Sequence, residues 1–303
     1  MMGWVFLFLG VLVGTYFAAR AALRPPDISA APGRMADLSQ GRTHYRWNGP
    51  LNGPVVVCVH GVTSGSFVWQ PLIRSLNMMG FRVLSYDLYG RGYSDAPRGR
   101  QSTDFHLRQL TDLLTDQKVE GPVTLIGYSM GGTIAARFAA THPDRVERLV
   151  LLCTAGFGVK LPRLIRWCAR VPVLGDWWMG VLGGAAMRRD LRTKAYAEDF
   201  PNIARDQIAD TYRRGYAGAV ISSARHCLRS RQDGAHRTIA AAGIPVLAIW
   251  GGRDGVIPDT APGALAVADH HARHGTVDEA DHALPFTHVA NFIPTLQVFL
   301  RET

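Results

Sequence analysis

One serine lies where a protein could hold a nucleophile. Ser129 is the middle residue of G-Y-S-M-G (residues 127–131), directly after an apolar run and directly before a run with helical spacing. A serine on so tight a strand-to-helix turn needs glycine two positions away on each side, because larger side chains would collide with neighbouring backbone. The helix that starts there also points free N–H groups toward the serine. The pattern therefore predicts that Ser129 is a nucleophile.

A serine hydroxyl reacts readily only when a base takes its proton and an acid orients that base. Among 11 histidines, His282 is distinguished by its place in a loop just before the last predicted helix. His288 is its nearest rival, but it falls inside that helix and is expected to be structural. Asp254 follows a buried strand and two glycines, and is the expected acid. Asp259 is the alternative, although aspartate at such a position usually caps a helix.

Negative charge that develops on a substrate oxygen needs N–H donors. We expect the backbone N–H of Met130, directly after the nucleophile, to be one of them. The other is expected from the loop H-G-V-T (residues 60–63) after the first central strand, at the N–H of Val62. Backbone groups act here, so the side-chain types carry little information, and an ordinary turn at residues 60–61 is the alternative.

The elements that must position these groups alternate along the chain. A hairpin is predicted at 34–48, strands at 55–59, 82–86, 123–126, 149–152 and 245–250, and helices at 66–79, 103–116, 130–141 and 284–300, the last of them broken near Pro294. Continuous apolar runs such as V-V-V-C-V (55–59) are typical of central parallel strands. Residues 156–240 contain helical, Arg-rich sequence, and strand-like sequence resumes after them. The pattern predicts an α/β domain with an inserted helical cap.

These residues, with H-G at 60–61 and D-L-Y-G-R-G-Y-S-D at 87–95, resemble the α/β-hydrolase superfamily over about residues 55–300. The resemblance implies the α/β-hydrolase fold, with a mostly parallel central sheet and helices on both faces. It also implies a structural role for the 87–95 loop. Asp281 replaces the glycine usual before the histidine, and could raise the basicity of His282. Serine at position 129 argues against the haloalkane dehalogenase and epoxide hydrolase branches, which use aspartate there.

The expected function is hydrolysis of carboxylic esters by a serine enzyme, with lipid-like substrates suggested by a similarity to monoacylglycerol-lipase-like members and bacterial esterases. The same triad also cleaves thioester, amide and certain C–C bonds, and fold does not select among them. A non-catalytic binding protein on this fold is the rival from another class. No cofactor or metal is expected, since His270, His271 and His274 are interpreted as a solvated helix face. No nucleic-acid-binding motif is present, so no nucleic-acid partner is expected.

The N-terminal segment has no charged side chain up to Ala19, and Arg20 and Arg24 follow it. A run of about 18 apolar residues is near the minimum for a membrane-spanning helix. A cleaved signal peptide normally begins with a basic region, which is lacking here. The expectation is a single-pass membrane anchor with the catalytic domain on the cytoplasmic side, and export after signal cleavage is the alternative. The predicted units are an anchor or signal segment (1–24), a hydrolase core (25–155 and 241–303) and the cap (156–240).

Positive charge is concentrated in the predicted cap. The formal net charge is +9, and residues 156–240 contain 15 Lys and Arg against 7 Asp and Glu. With Trp167, Trp177 and Trp178, this excess predicts a cap that rests on a membrane surface. The alternative is that the tryptophans fill the interior of the cap or line an acyl pocket. The four cysteines form no C-x-x-C pair and are expected as buried free thiols, with a bridge between Cys168 and Cys227 left open.

Overall fold

One eight-stranded sheet organises the molecule, a computed structural model that describes residues 2–25 and 27–302. The strand order is β1-β2-β4-β3-β5-β6-β7-β8. The strands are β1 Arg34–Leu38, β2 Gly41–Asn48, β3 Val55–Val59, β4 Arg82–Tyr86, β5 Val123–Tyr128, β6 Val146–Leu152, β7 Val246–Gly251 and β8 Arg273–Val277. Neighbouring strands are parallel from β4 to β8, and only the β1–β2 and β2–β4 pairs are antiparallel. The predicted α/β-hydrolase fold with a mostly parallel sheet is confirmed.

Helices flank the sheet and fill the long β6–β7 connection. They are α1 Met2–Ala22, α2 Gln70–Met78, α3 Thr103–Asp116, α4 Met130–Thr141, α5 Arg163–Arg170, α6 Pro172–Trp178, α7 Gly184–Arg192, α8 Tyr196–Asp199, α9 Pro201–Asp210, α10 Tyr216–His226, α11 Asp233–Ala241, α12 Ala261–Ala268, α13 Leu284–Thr287 and α14 Val289–Arg301. Short 3-10 turns occur at Ile28–Ala30, Ser66–Trp69 and Pro143–Arg145, and a π-helical turn at Met179–Gly183.

The centre of the sheet is covered on both faces. Val56, Val57, Cys58 and Val59 of β3 are completely buried, as the continuous apolar run predicts. Parallel strands bring their carboxyl ends to the same edge of a sheet. The loops that follow β3, β5, β7 and β8 therefore meet at one edge, and these loops carry the residues that the sequence singled out.

Between β6 and β7, residues 156–240 contain no strand in the part of the chain that the structure describes. We call these residues the inserted segment. It contacts the sheet-edge loops at several places; for example, the Tyr216 hydroxyl donates to the Thr63 carbonyl at 2.9 Å, and the rings of Tyr196 and Phe200 pack edge-on against Phe286. Its last helix, α11, packs on α4 and α12 beside the sheet.

The membrane anchor predicted at the N-terminus is wrong. Within residues 2–25 and 27–302, no helix is long and apolar enough to span a bilayer. The prediction rested on the uncharged run and the arginines after it, whereas in the structure α1 packs against the inserted segment. The indole N–H of Trp177 donates to the Leu12 carbonyl at 2.8 Å, and the Tyr16 ring occupies the space beside Gly180.

Two further elements differ from the expectation. His274 belongs to strand β8 and accepts a hydrogen bond from the Trp250 indole at 3.1 Å, so the His270–His274 region is not a continuous helix face. The last predicted helix is divided at His288, between α13 and α14, and Pro294 lies inside α14.

All four cysteines are buried and free, so no bridge joins Cys168 and Cys227.

Candidate active site

The turn between β5 and α4 holds Ser129 in a backbone conformation that few non-glycine residues adopt. Its φ is +53° and its ψ −118°, and the residue is only 4% exposed. The Ser129 N–H donates to the Leu152 carbonyl at 3.0 Å, which ties the turn to β6. A Cβ on Gly131 would overlap the Val59 carbonyl, and one on Gly127 would lie 2.5 Å from the Gly132 Cα. The tight approach of backbone on both sides therefore explains the two glycines.

The structure brings together the three side chains predicted as nucleophile, base and acid. The His282 Nε2 atom lies 3.0 Å from the Ser129 Oγ atom, and the His282 Nδ1 atom lies 2.8 Å from the Asp254 Oδ2 atom. An ionised carboxylate only accepts hydrogen bonds, so the proton of a neutral His282 is on Nδ1. The Nε2 lone pair then faces the serine hydroxyl. This arrangement can remove the proton from Ser129.

The environment of Asp254 favours its ionised form. Although burial opposes the charge, the hydrogen bond and the charge of His282 lower the pKa of Asp254, helped by two backbone N–H groups. These donors belong to Val256 and Ile257, at 2.7 and 2.9 Å from Oδ1. Asp259, the alternative acid, is exposed and pairs with Lys160 at 3.3 Å, away from the histidine.

Neighbouring groups fix the loop that carries His282. The Tyr128 hydroxyl donates to the His282 carbonyl at 2.9 Å, and the two ring centroids lie 5.2 Å apart. Asp281 accepts the Ala283 N–H at 2.8 Å, so its carboxylate closes a turn around the histidine. His288, the rival base, contacts the Thr287 hydroxyl at 2.8 Å. Tyr128 was not singled out from the sequence, although it is the variable residue before the serine in the pentapeptide.

The two backbone groups expected as oxyanion donors belong to the residue after the nucleophile and to the loop that passes it. Met130 begins α4 directly after Ser129. The loop that contains Val62 passes Ser129 closely, since a Cβ on Gly61 would lie 3.4 Å from the serine Cβ. Within the described residues, neither the Val62 nor the Met130 N–H donates a hydrogen bond to other backbone.

Cys153, one of the four cysteines expected as buried free thiols, lies next to the acid and the base, a position that the sequence did not predict. Cys153 directly follows β6 and has a φ of +44°. Its Sγ, a carboxylate oxygen of Asp254 and a ring nitrogen of His282 lie within 4.8 Å of one another. Cys, Asp and His are zinc ligands, but here Asp254 and His282 bond each other. Burial raises the pKa of the Cys153 thiol well above its ordinary value.

The loop at residues 87–95 is part of the framework around this site. Asp87 accepts hydrogen bonds from the Ser66 N–H at 2.6 Å and the Tyr93 N–H at 2.9 Å, and it pairs with His44 at 2.7 Å. Burial opposes its charge, but the bond to His44 and the charge of that ring lower the pKa of Asp87 well below its ordinary range. Asp87 therefore joins several loops through buried hydrogen bonds, and it is not one of the three residues grouped around the serine hydroxyl.

Comparison with known proteins agrees with this architecture. A family model for the alpha/beta hydrolase fold matches residues 54–289. An uncharacterized protein of Mycobacterium tuberculosis is 28% identical over 220 residues, which cover 68% of this chain and 63% of that protein. The chain therefore spans less than two thirds of that relative's length.

Two further relatives have named activities. The cis-3-alkyl-4-alkyloxetan-2-one decarboxylase of Xanthomonas campestris is 32% identical over 166 residues, covering 51% of this chain and 55% of that protein. The crystal structure of an enol-lactonase from Burkholderia xenovorans is 25% identical, with a TM-score of 0.76 over 89% of this chain and 100% of that one. The sheet order, the strained serine turn and the match over residues 54–289 lead to one conclusion: the chain belongs to the α/β-hydrolase family.

Proposed function

We propose that this protein is a serine hydrolase that cleaves carboxylic esters through an acyl-enzyme on Ser129. The observation that carries the proposal is the continuous contact from the Ser129 hydroxyl to His282 at 3.0 Å and from His282 to Asp254 at 2.8 Å. The rival is a non-catalytic binding protein on the same fold. Such a protein would have no need for the φ of +53° at Ser129, which costs energy and projects the hydroxyl toward the histidine.

The proposed reaction has two halves. In the first, His282 takes the proton of Ser129 as the serine oxygen attacks the ester carbonyl, and the N–H groups of Val62 and Met130 stabilise the negative oxygen. The tetrahedral intermediate then expels the alcohol, which receives the proton from His282. In the second half, His282 deprotonates a water that attacks the acyl-enzyme, and collapse of the new intermediate releases the carboxylic acid while the Ser129 oxygen takes the proton back from His282. Asp254 stabilises the imidazolium in both halves.

The names of two relatives point to cyclic esters as well as linear ones. An enol-lactonase opens a cyclic ester, and an oxetan-2-one is a four-membered cyclic ester. The panel of substrates therefore contains lactones beside p-nitrophenyl esters of increasing chain length and monoacylglycerols, the lipid-like class expected from the sequence. Thioesters, amides and C–C bonds are the alternative substrates, because the same three residues can attack each of them.

The test compares turnover by the wild type, Ser129→Ala and a matched control, Ser75→Ala on α2. We expect hydrolysis of at least one ester by the wild type and the control. Loss of a triad residue typically lowers turnover by about 10³-fold or more, so Ser129→Ala should have almost none. The Tm should be similar for the wild type, Ser129→Ala and Ser75→Ala. A loss smaller than about tenfold in Ser129→Ala, or no hydrolysis of any ester by the wild type, contradicts the proposal.

A further inference from the structure

A fully buried arginine connects the inserted segment with the loop beside the nucleophile. Arg91 is completely buried, and its guanidinium makes hydrogen bonds only to neutral acceptors. Nε donates to the Val62 carbonyl at 3.0 Å. One terminal nitrogen donates to the Tyr89 carbonyl and to the side-chain oxygen of Gln101. The other donates to two groups of α10, the Ser223 hydroxyl at 2.9 Å and the Ala219 carbonyl at 3.3 Å. Within the described residues, Arg91 has no carboxylate partner among the ion pairs.

The absence of an ion pair makes this arginine unusual. A buried charge is costly unless it is paired or fully hydrogen-bonded. Burial lowers the pKa of Arg91 to about 10, so the guanidinium is still charged at neutral pH. All five of its N–H groups have an acceptor, which satisfies the geometry of a guanidinium. The arginine therefore forms a rigid junction between the 60–63 loop, the 87–95 loop and α10.

Three successive carbonyl groups of the 60–63 loop accept hydrogen bonds from side chains, one within the loop and two outside it. The Gly61 carbonyl contacts the His60 Nδ1 atom at 2.8 Å, the Val62 carbonyl accepts from Arg91, and the Thr63 carbonyl accepts from the Tyr216 hydroxyl at 2.9 Å. The Leu88 N–H donates to Nε2 of His60, so the proton of this ring is on Nδ1 and donates to Gly61.

These contacts determine where the Val62 N–H points. In a trans peptide the N–H is antiparallel to the carbonyl of the preceding residue. Fixing the Gly61 carbonyl therefore fixes the Val62 N–H on the opposite side of the same plane. Arg91 and Tyr216 prevent rotation of the next two peptides. Tyr216 is buried and its raised pKa keeps the phenol protonated, so it remains a donor.

We propose that the inserted segment positions the oxyanion-binding loop through Tyr216 and Arg91, so that docking of α10 reinforces the alignment of the Val62 N–H that the contact between His60 and Gly61 provides. This inference rests on the proposed serine hydrolase function. Arg91 and Tyr216 are positioning residues, because they act on the loop and not on the substrate. Movement of α10 away from the sheet edge breaks the Tyr216 contact and both α10 contacts of Arg91. Docking of the segment thereby couples closure of the site to stabilisation of the oxyanion.

The test uses Tyr216→Phe, which removes only the phenol hydroxyl, and Arg91→Lys, which keeps the charge but loses the forked geometry. For each variant, kcat and KM are measured with the best ester, together with the affinity for a phenylboronic acid. Boronates add to the serine oxygen as tetrahedral anions and so report on oxyanion binding. Removing a whole oxyanion donor lowers kcat about 10²–10³-fold. Misalignment should lower kcat and boronate affinity by roughly tenfold each, with KM within about twofold of wild type.

Two control variants carry the same chemical changes elsewhere. Arg225→Lys alters an α10 arginine that bonds the Cys168 and Ala169 carbonyls within the inserted segment. Tyr89→Phe removes a phenol that donates to the Gly41 carbonyl in the core. Both should keep kcat and boronate affinity within about twofold of wild type. A general loss of stability would affect controls and test variants alike.

The outcomes separate this inference from the proposed function. If the wild type is active but Tyr216→Phe and Arg91→Lys retain kcat and boronate affinity, or lose them no more than the controls, the positioning role is wrong and the serine mechanism stands. If the wild type neither hydrolyses esters nor binds the boronate, both fail. Should Arg91→Lys not fold, Tyr216→Phe decides alone, because its ring still fills the same volume.

Discussion

The His282 Nε2 atom lies 3.0 Å from the Ser129 Oγ atom, although 153 positions separate the two residues in the chain. The sheet makes this contact possible, since β5 and β8 end at the same edge and their loops face each other there. Tyr128 strengthens the link by donating from the serine turn to the His282 carbonyl. The proposed chemistry therefore depends on loops whose relative position is fixed by parallel strands.

Asp254→Asn should be far more damaging than its conservative size suggests. Two backbone N–H groups donate to Oδ1, so the amide oxygen of the asparagine will occupy that side. The amide NH₂ then faces Nδ1 of His282, which forces the proton onto Nε2 and removes the base. In a comparable serine enzyme this change lowers kcat about 10⁴-fold. Steady-state kinetics on the best ester measures the effect.

Asp259→Asn is the matched control for that experiment. Asp259 is exposed and pairs with Lys160, and exposed ion pairs contribute little. The kcat of Asp259→Asn should remain within about twofold of wild type. A larger loss in Asp259→Asn than in Asp254→Asn would mean that the wrong acid has been assigned.

Gly131→Ala and Gly263→Ala should change stability in opposite directions. A Cβ at position 131 overlaps the Val59 carbonyl, whereas nothing lies within 4 Å of a Cβ at position 263 in α12. Overpacking typically costs about 1–3 kcal/mol and here also moves the nucleophile. A glycine replaced by alanine inside a helix gains about 0.5–1 kcal/mol.

Differential scanning calorimetry and ester turnover measure both effects. The Tm should fall by several degrees and kcat should drop in Gly131→Ala, while Gly263→Ala should have a slightly higher Tm and wild-type kcat. Full activity and stability in Gly131→Ala would refute the described geometry of the serine turn.

Asp210 should make stability depend on pH. Its carboxylate is buried at the contact between α9 and the 87–95 loop, 3.1 Å from both the Gly92 N–H and the Arg213 guanidinium. Burial raises the pKa of Asp210 from 3.8 to about 7; Arg213 opposes the rise, and the charges of Asp87 and Asp206 add to it. A raised folded-state pKa contributes stability below the unfolded-state pKa, and this contribution is lost as the pH rises to about 7.

Asparagine cannot titrate, so the comparison with Asp210→Asn isolates this contribution. The Tm of Asp210→Asn minus that of wild type should increase from pH 5 to pH 8. Asp199→Asn, at an exposed position of α8, should give the same Tm difference at both pH values. If the Tm of Asp210→Asn minus that of wild type stays constant or decreases with pH, the raised pKa of Asp210 is contradicted.

The sequence predicted most of the sheet because its central strands are continuous apolar runs. Val55–Val59 and Arg82–Tyr86 begin and end as expected. Strand β8 was missed because R-H-G-T-V is largely polar, as an edge strand can be, and its hydrogen bonds to β7 are not visible in its own residue types. Ser129, His282 and Asp254 could be chosen because the fold imposes their chain order.

Other features depend on contacts that no local pattern encodes. Arg91 was visible only as a residue in a loop expected to be structural, since its acceptors on α10 are more than 120 positions away. The N-terminal prediction failed because hydropathy and flanking charge do not reveal tertiary contacts, whereas in the structure Trp177 and Gly180 provide a protein surface for α1. Cys153 could have been noticed as a residue that ends β6 at the edge where the active-site loops meet.

The most direct test of the central claim is the site at which a fluorophosphonate reacts. The wild-type protein is incubated with the probe, digested and analysed by mass spectrometry, with Ser129→Ala and Ser75→Ala treated in parallel. Because His282 activates only one serine, a single adduct should form on Ser129 in the wild type and in Ser75→Ala, and none in Ser129→Ala. An unlabelled wild type, or an adduct that persists in Ser129→Ala, would contradict the assignment of Ser129 as the nucleophile.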